Sequence, residues 1–200
     1  MGETIFEFRG VDECYIAKIT EDNEENYTCS TPIKFDVQEV GKKTDSSSET
    51  HYYNNKPALV INSEGADELT LVIAPPELKV LADIMGKQFD EATGMLIDGM
   101  RKNEYFALMY RTKGTDGAYR YCVRNKGTFA LPEESSKTED SGTETTNTTL
   151  TYTGIFTKHE FKKSNGEVKG FVIDERYAKA DLTNLFKTVP TVDTVAELKG

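Results

Sequence analysis

The chain has 200 residues, 34 of them acidic and 24 basic, for a formal net charge of −10. That length suits one globular domain with arms. The acidic balance argues against sequence-independent grip on nucleic acid, which needs phosphate-neutralising Lys and Arg, and against docking on an anionic membrane. A hydrophobic fraction of 37% with mean hydropathy −0.55 points to a lean core and long polar loops.

From the start of the chain, Met1–Phe6 carries Glu3 and no basic run, so no secretory leader is expected. Phe6 also stands where a myristoylation signal wants Ser or Thr. Period-2 apolar runs separated by Gly, Asn and Asp then recur, the pattern of an antiparallel β domain. Strands are expected at Tyr15–Thr20, Ile33–Val40, Ala58–Asn62, Glu68–Ala74, Tyr105–Thr112, Ala118–Asn125, Thr128–Leu131, Thr146–Lys158 and Val168–Ile173. Lys113-Gly114-Thr115-Asp116-Gly117 links two of them as a β-hairpin.

Two short helices are expected among the strands. The first opens at Pro76-Glu77, places Leu78, Leu81, Ala82 and Met85 on one stripe, and stops at Gly86. The second lies around Ala180–Lys187, groups Leu182, Leu185 and Phe186, and ends before Pro190. Three polar stretches lack apolar periodicity: Glu39–Lys56, Pro132–Glu144 and the tail after Pro190. Loops of that length are either functional or disordered, and plain solvated linkers are an equal alternative. The organisation read from this is a β domain over 1–190, with a long loop at 39–56, and a tail at 191–200.

Chemical motifs are missing. His51 and His159 sit in unrelated segments without HExxH, and GxSxG, Walker A and GxGxxG patterns are absent. Asp90, Glu91 and Asp98 around Thr93-Gly94 lack calcium-loop spacing and read as an exposed turn. Cys14, Cys29 and Cys122 are odd in number and widely spaced, so they read as reduced thiols of a cytoplasmic chain, in which the sequons at Asn26 and Asn147 carry no meaning. No catalytic, metal-binding or cofactor-binding residues are expected, and no membrane span.

One pattern is unusual. Eight threonines fall between Thr143 and Thr157. Alternation puts Thr149, Thr151, Thr153 and Thr157 on one face with Ile155, and Leu150, Tyr152, Gly154 and Phe156 on the other. Glu68–Ala74 alternates likewise, with Glu68, Thr70 and Val72 opposite Leu69, Leu71 and Ile73. On alternation alone, the ordinary solvent face of a half-buried sheet is the favoured explanation over a functional surface, since such antiparallel sheets are common.

The chain resembles the major tail tube proteins of long-tailed, non-contractile (siphovirus-type) phages, the family common in phages and prophages of Gram-positive bacteria. The resemblance runs from about Gly10 to Pro190. It is carried by Tyr15–Thr20, Thr31-Pro32-Ile33-Lys34, Leu81–Gly86, Tyr105–Arg111, Gly117–Tyr121, Lys126–Glu134, Thr151–Phe156 and Leu185–Pro190 in register. Leu185 and Cys122 stand where some relatives carry aromatics.

The resemblance implies a mainly β fold, an antiparallel β-sandwich or distorted barrel flanked by a helix. It further implies hexameric rings that stack into the virion's tail tube, assembled in the host bacterial cytoplasm, with no catalysis. Partners would be further copies of the chain, tail terminator and distal tail proteins, and the tape-measure protein and DNA that pass through the lumen. Within that frame Glu68, Thr70, Thr149, Thr151 and Thr153 are expected to line the channel. Lys43, Thr44, Asp45, Ser46, Ser47, Ser48 and Glu49 are expected to touch the neighbouring ring, ordering with the tail on assembly. Alternatives are a tube subunit of a contractile tail or injection machine, and a free-standing adhesin or ligand-binding β-sandwich.

Overall fold

Alternating apolar and polar residues organise most of the chain into antiparallel strands. The computed structural model describes residues 6–132, 147–164 and 166–197. Its elements are β1 (Phe8–Asp22), β2 (Tyr27–Cys29), β3 (Ile33–Phe35), β4 (Val37–Tyr53), β5 (Lys56–Ile73), α1 (Leu78–Met85), β6 (Gln88–Asp90), β7 (Met95–Ile97), β8 (Phe106–Gly114), β9 (Tyr119–Phe129), β10 (Thr148–Gly154), β11 (Gly170–Asp174) and α2 (Val192–Glu197), with a 3-10 turn at Leu185–Lys187. The expected stretch Pro132–Glu144, apart from Pro132, and the threonines at 143, 145 and 146 lie outside the described residues.

Nine strands form one antiparallel sheet in the order β2-β1-β8-β9-β10-β5-β4, with β3 also on β1 and β11 also on β9; β6 and β7 pair separately. β3 hydrogen-bonds β1 while β4, which follows it after Asp36, hydrogen-bonds β5. The two ends of the sheet are thus joined through one bent segment, and the sheet curls around a core in the manner of a distorted barrel. That core holds Ile16, Phe35, Leu69, Leu71, Ile73, Ile84, Phe106, Leu108, Phe129, Leu150 and Tyr152.

β8 and β9 are buried along both faces rather than alternately. Their second face carries Met109, Tyr121 and Val123, which pack under Leu182, Leu185 and Phe186. The segment around Ala180–Lys187 therefore does what its apolar grouping requires, but as a single 3-10 turn, not the expected helix. The tail is also more structured than expected. Thr191 caps α2, with the Thr194 amide donating to its hydroxyl at 3.2 Å, and Val195 packs on the same cluster.

Two expected strand pairs are single strands: Ala58–Asn62 and Glu68–Ala74 belong to β5, and Ala118–Asn125 and Thr128–Leu131 to β9. The polar stretch Glu39–Lys56 is not a structureless loop. It is most of β4, paired with β5 out to Tyr53–Lys56 and closed by Asn54 and Asn55 at φ 51° and 61°. Asparagine tolerates that left-handed conformation, which tight hairpin turns demand.

Helix α1 also departs in detail. It begins at Leu78 and buries Ala82 and Ile84, whereas Leu78 is exposed. Its stop is as expected: Gly86 has φ 64°, its carbonyl accepts from the Lys102 amide at 2.8 Å, and a Cβ there would run into the Lys102 carbonyl oxygen. Gly86→Ala is therefore expected to cost at least about 1–3 kcal/mol of stability. A urea titration would read this as a lower midpoint at unchanged slope.

Candidate functional site

β10 lies between β9 and β5, and its pairing with β5 sets the geometry of the candidate site. Thr149 stands opposite Val72, Thr151 opposite Thr70 and Thr153 opposite Glu68. Directly opposed residues share a face, so all five residues expected on the channel wall come together. The reverse face has no solvent contact: Leu69, Leu71, Ile73, Leu150 and Tyr152 are fully buried. The face continues onto β4, where Glu39 opposes Val72, Gly41 opposes Thr70 and Lys43 opposes Glu68. On the other side it reaches Thr128 of β9, opposite Thr153; the Thr128 hydroxyl itself is turned away from solvent. The result is a hydroxyl-rich surface with two carboxylates and one ammonium across four strands.

Alternation stops at the end of β10. Thr157 is buried, not on the hydroxyl face, and its hydroxyl donates to the His159 carbonyl at 2.9 Å. Phe156, expected in the core, is exposed. The chain leaves the sheet at Gly154, so period 2 no longer governs which way these side chains point.

At the edge of this face β4 and β5 run on as a projecting hairpin. Its root is held by buried charge. Asp67, on the core side, accepts a hydrogen bond from Thr44 Oγ1 at 2.7 Å and faces Arg124 Nε at 3.2 Å and Lys42 Nζ at 3.3 Å. Burial alone would raise the Asp67 pKa, but the Thr44 hydrogen bond and the two cations hold it below the ordinary aspartate value. One turn further out, Lys169 Nζ reaches Glu64 at 2.5 Å and the Gly65 carbonyl at 2.7 Å. At the same level β5 carries an extra residue, Gly65 and Ala66 standing opposite Asp45 alone, so the hairpin leaves the body at a bulge flanked by the Asp67 cluster and Lys169.

The residues expected to touch a neighbouring ring divide at this bulge. Lys43 belongs to the hydroxyl face, Thr44 to the Asp67 cluster, and Asp45 packs beside Gly65. Ser46, Ser47, Ser48 and Glu49 lie in the projecting part, where Ser47 and Ser63 share a hydrogen bond at 2.5 Å. Sequence reasoning missed Glu39 and Lys43 as members of the face. Their cross-strand positions were not legible until Glu39–Lys56 was recognised as a strand.

Burial pushes the Cys14 thiol up to about 12 and the Cys29 thiol up to about 11, so both are protonated at neutral pH. Among the described residues no three His, Cys, Asp or Glu side chains gather as a metal cage, and no helix is long and apolar enough to cross a membrane. No protein-family model matches the chain, and no curated protein matches it significantly.

The second buried carboxylate is Asp22. Burial raises its pKa, but Lys126 Nζ at 2.5 Å and the backbone amides of Lys158 and His159 lower it further. Asp22 and Asp67 are both depressed in the folded state, so their contribution to stability is complete above the unfolded aspartate value and is lost as pH falls below about 4. Asp67→Asn strands the Arg124 guanidinium in the interior and is expected to cost about 3–5 kcal/mol at neutral pH. The variant should also lose stability less steeply on acidification, which chemical denaturation at pH 7 and pH 3 would measure.

Proposed function

We propose that this chain is the structural subunit of a tube, the major tail protein of a long-tailed, non-contractile phage, with the hydroxyl face of β10, β5 and β4 lining the bore. The observation that carries the reading is the coincidence of that face with a free sheet edge. β4 hydrogen-bonds no described strand other than β5. A free edge is a template for joining another chain, which soluble proteins ordinarily blunt. When every copy offers the same edge to a different surface of the next, the contact is heterologous and closes into a ring if the rotation permits. The hexameric ring of the family that the sequence resembles is the closure assigned here.

The chemistry of the face suits a conduit. Duplex DNA carries about one negative charge per 1.7 Å of axis, and basic contacts capture it by releasing counterions. Per copy, this face offers Glu39 and Glu68 against Lys43 alone, with Thr70, Thr149, Thr151 and Thr153 between them. Repulsion from such a wall reaches only about 8 Å at physiological salt, so it keeps the polymer off the wall without opposing entry. Hydroxyls interact with water and phosphate alike and hold neither. In this reading the subunit is a virion protein without catalysis or cofactor, assembled in the bacterial cytoplasm. It joins copies of itself, terminator and distal tail proteins, and surrounds tape-measure protein and DNA.

Negative-stain microscopy of the concentrated protein is expected to show rings or hollow filaments; a monomer at every concentration would overturn the proposal. In particles carrying Glu68→Lys and Thr151→Lys, tubes should still form while DNA ejection slows, and raised salt should relieve the delay as it screens the new contacts.

A further inference from the structure

The sheet has a second outer face, across the core from the hydroxyl face, and it carries a cavity that the tube reading does not use. β1 and β8 turn Cys14, Ile16, Leu108 and Tyr110 toward the core, and the residues between them point away from it. Cross-strand pairing aligns those residues in two rows. Glu13 stands opposite Arg111, and Arg111 opposite Tyr121. In the next row Lys34 stands opposite Tyr15, and Tyr15 opposite Met109. The segment at Leu182–Lys187 lies over this face through Leu182, Leu185 and Phe186. Between it and the rows is a cavity of about 320 Å³, walled by Glu13, Tyr15, Arg111, Tyr121, Asn184 and Lys187. That volume is at the lower end of the ~300–1,000 Å³ of ligand sites. Pro32 and Lys187 also line a second cavity of about 350 Å³, beside Tyr27 and Val189.

The charges in this wall are balanced against each other. Arg111 Nε lies 2.8 Å from Asp12 Oδ1 and 3.3 Å from Glu13 Oε2, and Lys34 Nζ lies 3.8 Å from Glu13 Oε1. The guanidinium also stacks over the Tyr119 ring at 4.2 Å, so its direction is fixed before any ligand arrives. Arg111 and Glu13 nevertheless keep 23% and 25% of their side-chain surface exposed. Beside them Tyr15 and Tyr121 each pack on Phe186 with centroids 5.5 Å apart, a rigid aromatic surface. Asp12, Glu13, Arg111 and Lys34 sum to zero charge, and Lys187 adds one that is exposed and screened by salt. The cavity thus sets a strong acceptor and a strong donor side by side, next to tyrosine rings, with little net field.

We propose that this cavity binds a neutral saccharide chain. Each sugar hydroxyl both donates and accepts, so neighbouring hydroxyls meet Glu13 and Arg111 together and leave neither unpaired. The C–H face of the same ring covers tyrosine surface and removes it from water. A nucleotide brings a phosphate that Asp12 and Glu13 repel, and an apolar chain would strip both charged groups of water without replacing it. The fixed Arg111 keeps the site pre-formed, so little ordering is lost on binding. Because the second cavity shares Pro32 and Lys187, a chain of sugars fits better than a single one. The inference does not depend on assembly. In the proposed tube, the face across the core from the bore is the outer wall, and weak sites held at fixed spacing bind a polymeric glycan jointly.

A printed array tests the site, carrying neutral glycans (glucans, galactans and N-acetylhexosamine oligomers) beside uronate- and phosphate-bearing ones. The purified chain is expected to be retained on neutral oligomers, and to stay there in about 1 M NaCl, where the Debye length is only about 3 Å. Calorimetric titration with the strongest neutral oligomer then compares two variants. Glu13→Gln should weaken binding about tenfold by removing a charged acceptor. Asn184→Trp, at an exposed position, should abolish it by filling the cavity; unchanged melting checks that both variants fold. Retention on anionic glycans alone, or on none, would overturn the inference, as would wild-type affinity in both variants. Rings that bind no glycan would leave the tube reading standing without this site, and a glycan-binding chain that never forms rings would do the reverse.

Discussion

The register of β10 on β5 is the constraint from which the rest of the molecule follows. Because side chains alternate along a strand, a slip of one residue would turn Leu150 and Tyr152 to water and bring Thr149, Thr151 and Thr153 into the core. Tyr152 prevents the slip. Its hydroxyl donates to the Phe106 carbonyl at 2.9 Å in the interior, and its ring sits against Phe129 with centroids 5.2 Å apart. Gly127 faces it, and a Cβ there would run into the Tyr152 ring. A tyrosine this buried must place its hydroxyl on a partner, and only one register offers that carbonyl. The same interaction therefore fixes the core on one side and the hydroxyl face on the other.

Much of this was legible in the sequence because the β5–β10 layer is apolar on one face and polar on the other. That is the case in which period-2 reasoning works, and it brought Glu68, Thr70, Thr149, Thr151 and Thr153 together correctly. The hairpin was not legible for the complementary reason. Beyond the bulge opposite Asp45 both faces of β4 are exposed, so no burial pattern marks the strand, and Leu59-Val60-Ile61 shows no alternation at all. Its one local signal was Asn54-Asn55. The segment around Ala180–Lys187 misled differently: three apolar residues at helical spacing needed only a 3-10 turn to reach Met109, Tyr121 and Val123. Alternation at Thr157 failed because the chain had already left the sheet.

The charge clusters at the hairpin root explain how an exposed two-stranded element keeps its direction. A hairpin alone is marginal in water, and this one has no core of its own. Asp67 with Arg124, Lys42 and Thr44 sits where the strands leave the body, and the buried Lys169 ammonium reaches the exposed Glu64 carboxylate and the Gly65 carbonyl beside it. Buried ion pairs are a poor source of net stability, since desolvation cancels much of their attraction. Here they specify geometry, because another angle of the hairpin would leave Asp67, Arg124 or Lys169 buried and unpaired. That suits an element whose value lies in where its tip is held.

An edge strand and exposed apolar side chains at the hairpin tip are an aggregation hazard for a single chain, and the −10 net charge opposes indiscriminate association of free copies. In the proposed ring, what each copy presents to its neighbours is set by the direction in which the root holds the hairpin, so the entropy of orienting each contact is lost once, on folding. A hairpin free to swing would forfeit that pre-orientation at every position around the proposed ring.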